Sequence, residues 1–103
     1  MKLSTHIAIE REERLVQIAT TIGFGTIVDT FYRKEKSGEV RCYCVSDTGV
    51  LFIKDRRQQM LITAYAAHAN KIASLYKDYG RTVPSYLFKI AMNNEKKRAY
   101  LFK

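Results

Sequence analysis

Proline occurs once, at Pro84, and glycine five times in 103 residues, so little of the chain is set aside for irregular structure. No internal repeat, low-complexity tract or linker interrupts it, and the expectation is a single domain over residues 1–103. Cysteine is scarcer still. Cys42 and Cys44 cannot build a disulfide framework, which points to a reducing, cytoplasmic compartment. No apolar run reaches the ~18 residues of a membrane helix, so no membrane partner is expected. The opening MKLSTHIAIEREER is charged within its first ten residues, unlike a signal peptide. The two histidines, His6 and His68, lack ligand spacing, and Cys42-x-Cys44 reads as plain core, so no metal is expected. A phosphate-binding glycine loop and a dinucleotide fingerprint are both missing, and no cofactor is expected.

Acidic residues are the remaining shortage. Ten face eighteen lysines and arginines, a formal charge of +8. Fifteen of the eighteen fall after residue 30, against six acidic residues there. Such a basic small chain points to a polyanion, most often nucleic acid. With 47% hydrophobic residues it has enough apolar material for a packed core, which argues against disorder.

The pattern along the chain predicts an α+β fold: an N-terminal helix, a four-stranded antiparallel meander sheet and two C-terminal helices. Residues 4–22 carry a helical stripe of Ile7, Leu15, Ile18 and Ile22, with Gly23 as the stop. Residues 26–33, 40–46, 50–54 and 59–66 are rich in β-branched and aromatic types and are separated by Ser37-Gly38, Asp47-Thr48-Gly49 and Asp55-Arg56-Arg57-Gln58. Residues 67–79 form a helix ended by Gly80; Thr82 and Pro84 open another, stopped by Asn93-Asn94. Residues 95–103 read either as a frayed helix end or as an edge strand.

Period-2 sorting gives one consistent pair of sheet faces. Ile27, Asp29, Phe31, Val40, Cys42, Cys44, Leu51, Ile53, Met60 and Ile62 pack under the helices. The other face then presents Thr30, Tyr32, Arg41, Tyr43, Phe52, Lys54, Thr63 and Tyr65, a mixture suited to stacking bases and holding phosphate or, equally, to a solvated sheet face. Asp29 falls on the core side and Arg11 on the helical stripe. A half-buried Arg11–Asp29 pair accounts for both, and the alternative sends Arg11 to a phosphate. Asp47-Thr48-Gly49 is the triplet of aspartic proteases, but Val50 follows where those enzymes carry a small residue, and a tight turn already explains the three residues.

Three stretches resemble a known group: the helix segment HIAIER, the strand segments TIVDTFYR and RCYCVSDTGVLFIKD, and the strand ending LITAYAA. They are similar to the barnase, EndoU, colicin and RelE-like toxin ribonucleases, small metal-independent enzymes often borne by prophages. The resemblance covers about residues 4–66. It implies RNA as substrate, cleaved by its own 2′-hydroxyl, and an acidic antitoxin as partner. Arg11, Lys54, Thr63 and Tyr65 are the positions it carries over.

Two functions of different kind follow. In the first, Arg41 and Lys54 hold the phosphate charge, Tyr65, His68 or His6 move protons, and Tyr32, Arg33, Tyr43, Thr63, Arg56 and Arg57 bind the RNA. In the second, the chain is a non-enzymatic phage or mobile-element inhibitor or regulator, and the same basic face or the helices over 67–94 bind DNA or an acidic protein.

Overall fold

Four β-rich segments joined by short turns pair most readily with their sequence neighbours, and they do. The computed structural model describes residues 2–3 and 12–97. Strand β1 is Lys2–Leu3, helix α1 Glu12–Thr21, then β2 Ile27–Lys34, β3 Val40–Ser46, β4 Val50–Asp55 and β5 Met60–Ala66; α2 Ala69–Asp78 and α3 Ser85–Lys97 complete the chain. Strands β2 to β5 form an antiparallel meander, as the α+β expectation has it. The sequence reading had no β1: this two-residue strand pairs parallel with β5, giving the order β1-β5-β4-β3-β2. Two residues are too few for periodicity to reveal.

The three hairpin turns share one construction. Gly38, Gly49 and Gln58 each donate their N–H to the carbonyl three residues earlier, of Glu35, Ser46 and Asp55. All three occupy the left-handed region, at φ 90°, 85° and 58°. Glycine adopts it freely; Gln58 does so at a cost of about 1–2 kcal/mol. The Asp55 carboxylate offsets that cost by accepting the N–H groups of Gln59 (2.7 Å) and Met60 (2.9 Å), while the Gln58 amide donates to the Tyr32 hydroxyl at 3.0 Å.

The register corrects the expected faces. Tyr32 pairs with Cys42, Cys42 with Lys54, Cys44 with Phe52, and Phe52 with Ala64. Those residues share one face, and α1 packs on it: Ile18, Cys42, Cys44, Val50, Phe52, Leu61, Ala64 and Ala66 form one buried cluster, with Leu15 and Ile22 at its margin. The opposite face carries Phe31, Tyr43, Val45, Leu51, Ile53 and Tyr65 under α2 and α3, which add Ile72, Leu75, Tyr76, Leu87 and Ala91. Helices therefore cover both faces. The expected open face of Thr30, Tyr32, Arg41, Tyr43, Phe52, Lys54, Thr63 and Tyr65 is divided between the two, and Tyr43, Phe52, Thr63 and Tyr65 are buried. Alternation sorts residues within one strand but leaves the phase between strands free, and cross-strand pairing sets that phase. A bulge opposite Ile53 and Lys54 shifts β5 by one residue, so Leu61 and Ala64 meet α1 while Ile62 packs with the α2–α3 core.

The helix ends follow turn chemistry. Gly23 (φ 76°) donates to the Ile18 carbonyl and closes α1; Gly80 (φ 67°) and Arg81 donate to Lys77 and Tyr76 and close α2. Asn93-Asn94 does not stop α3, which continues to Lys97. Asn94 is instead buried, and its amide donates to the Thr48 carbonyl in the β3–β4 turn at 3.0 Å. The next residue, Glu95, accepts the Ala69 N–H on its carboxylate at 2.7 Å and so caps α2 from outside that helix.

Asp29 lies on β2 beneath α2. Its carboxylate accepts the Tyr76 hydroxyl and, at 2.8 Å, the Arg81 guanidinium, which lies over the Phe31 and Tyr76 rings. Among the described residues the cation paired with Asp29 is Arg81; Arg11, the partner expected from the sequence, lies outside the described residues. Tyr79 also donates to the Tyr32 carbonyl and occupies part of the open edge of β2.

Candidate nucleic-acid interface

In a meander, alternate turns fall at the same end of the sheet. The β2–β3 and β4–β5 turns therefore lie together, and between them they concentrate positive charge at that end of the sheet. Residues 33–41 and 54–57 hold Arg33, Lys34, Lys36, Arg41, Lys54, Arg56 and Arg57 against three acidic residues. Each of the three carboxylates has a partner within the protein. Glu35 accepts the Tyr43 hydroxyl at 2.6 Å, Asp55 closes its own turn, and Glu39 lies 3.8 Å from the Arg41 guanidinium. A recess of about 730 Å³ opens between the turns, lined by Gly38, Glu39, Val40, Asp55, Arg56 and Arg57.

Arg56 and Arg57 are exposed on the β4–β5 turn. Arg33 leans over the Tyr43 ring (5.8 Å) and lies 3.8 Å from Asp78. Lys34 and Lys36 are exposed on the β2–β3 side. The sequence reading passed over these two lysines, although the meander topology it proposed already places their turn beside Arg56 and Arg57. Tyr32, on the edge strand one residue before Arg33, is half exposed and is the one aromatic ring of the expected binding set that faces solvent.

The residues expected to perform catalysis are not gathered. Arg41 pairs with Asp55 and so shares the α2–α3 face, whereas Lys54 pairs with Cys42 on the α1 face. Tyr65 pairs with Leu51, so it lies four residues along and two strands across from Arg41, a separation of roughly 16 Å at ~3.3 Å per residue and ~4.8 Å per strand. Its hydroxyl is raised from the ordinary tyrosine value by burial, against the influence of Arg14. Burial, and then the Glu35 carboxylate, push Tyr43 up to about 12, so it stays a neutral donor. Thr63 is buried in β5. His68 begins α2 beyond the far end of that strand, exposed, with Nδ1 3.0 Å from the Glu95 carboxylate. His6 lies outside the described residues.

Cys42 and Cys44 lie 3.6 Å apart in the core, and burial together with Cys44 pushes the Cys42 thiol up to about 12. Asp47 lies in the β3–β4 turn, as expected, and its carboxylate also accepts the N–H of Thr26, just before β2, at 2.9 Å. Among the described residues no three His, Cys, Asp or Glu side chains are placed to hold a metal ion, and no helix is long and apolar enough to cross a membrane. No protein-family model matches the chain, and neither a curated protein nor a solved structure matches it.

Proposed function

We propose that this protein binds single-stranded RNA across the turn end of its sheet. The observation that carries the reading is the seven-to-three excess of basic residues there, with each carboxylate engaged inside the protein. Lysines and arginines on two adjacent turns offer a track for phosphates, and the half-exposed Tyr32 ring offers a stacking surface for one base. Binding, rather than cleavage, is the better-supported activity. Cleavage by the 2′-hydroxyl needs a base and an acid beside the charge-holding groups, and Arg41, Lys54, Tyr65 and His68 are spread over two faces and both ends of the sheet.

The test is titration of a labelled oligoribonucleotide at several salt concentrations. With about five phosphate contacts, affinity is expected to fall roughly 100-fold between 50 and 200 mM salt. Arg56→Glu with Arg57→Glu, and separately Lys34→Glu with Lys36→Glu, should each weaken binding and lower the logarithmic salt slope by roughly 1.4. A flat salt dependence, or turn variants that bind as well as the parent, overturns the reading and makes an acidic protein the better partner.

A further inference from the structure

A second opening lies on the α1 face of the sheet. It has a volume of about 400 Å³, within the range of small-molecule pockets. Leu15 of α1, Phe24 and Ile27 at the start of β2, Phe52 of β4 and Leu61 of β5 form its walls. Phe24 meets Phe52 edge to face at 5.8 Å and remains 39% exposed, as does Ile27, so apolar surface is left facing the opening.

Among the described residues the one charged side chain in this lining is Lys54. Among the described residues it has neither a hydrogen bond nor an ion pair. Its ladder neighbours are the Cys42 thiol on one side and Leu61 on the other. An ammonium held against apolar walls without a counter-charge complements a ligand with one anionic group and an apolar body. A nucleobase or sugar fits poorly, because the wall side chains give its polar edges no partners. An acyl chain needs none.

We propose that this cavity binds a medium-chain acyl carboxylate, its chain between Phe24, Phe52 and Leu61 and its carboxylate on Lys54. Its walls belong to α1, the α1–β2 connection and the α1 face of the sheet, and Lys54 is the one residue it shares with the basic turn end.

Octanoate, decanoate and dodecanoate, with decanol as the uncharged control, are titrated into the ¹⁵N-labelled protein. Amide shifts are expected at Phe24, Ile27, Phe52 and Leu61. Affinity should rise about tenfold for every two methylenes, from the free energy of burying each. Lys54→Gln should weaken decanoate about fivefold, as for a part-exposed ion pair, and leave decanol unchanged. Phe24→Ala should weaken both, and the dispersion of each variant's spectrum reports that it is folded. Shifts confined to α2, α3 or the basic turns overturn the proposal. So does affinity independent of chain length, or a Lys54→Gln variant that still prefers decanoate to decanol.

Discussion

Replacing Asp29 by alanine tests how α2 is fastened to the sheet. The Asp29 side chain is 18% exposed and holds two donors, the Tyr76 hydroxyl and the Arg81 guanidinium. Tyr76 is fully buried, so removing its acceptor leaves a donor with no access to water, a loss of about 1–3 kcal/mol. Arg81 is half exposed and regains solvent, so its share is at most about 1 kcal/mol. The sum is about 1–4 kcal/mol. With a urea m-value of about 1.5 kcal/mol/M, the unfolding midpoint should drop by about 2 M, followed by circular dichroism. In a Tyr76→Phe background the orphaned donor no longer exists, and the same substitution should cost about 1–2 kcal/mol less. A loss below about 0.5 kcal/mol, or equal losses in both backgrounds, would refute the argument, because the carboxylate would then not be the partner of a buried hydroxyl.

Alkaline unfolding should be steep. Tyr43 and Cys42 titrate near 12 when folded, above their ordinary values of 10.0 and 9.0, so both groups favour the folded state below pH 9. That stability is lost as pH rises from 9 toward 12, at about 1.4 kcal/mol per pH unit for each group, and Tyr43→Phe should flatten the urea midpoint against pH over the upper part of that window. Gly25→Ala should cost at least about 2 kcal/mol, since φ is +71° and the added carbon would sit 2.3 Å from the Asp47 carboxylate; Gly38→Ala, at φ +90° in open space, should cost about 1 kcal/mol. Thermal melting separates the two, and equal shifts would show that the Gly25–Asp47 approach is not tight. RNA bound in excess EDTA is expected to remain intact on a denaturing gel, and products ending in a 2′,3′-cyclic phosphate would restore the ribonuclease reading.

What the sequence determined by itself is local. Alternating apolar residues, Ser37-Gly38, Asp47-Thr48-Gly49, Gly23 and Gly80 specify strands, turns and helix ends through backbone conformations open to few residue types. The concentration of charge after residue 30 is equally plain. The tertiary structure decided everything that depends on phase between elements. Strand alternation has a period of two and no origin, so Cys42 shares a face with Lys54 and Phe52 rather than with Leu51 and Ile53 only because of the β3–β4 register. That register, with the bulge in β5, placed α1 on one face and α2–α3 on the other and buried the residues expected to form an open site. It also took Asn94 out of its stop role, because the half-buried turn at Thr48 offered a carbonyl to its amide. The candidate interface moved to the end of the sheet for the same reason. Once both faces are covered, turns are where long cationic side chains can keep their charges in water.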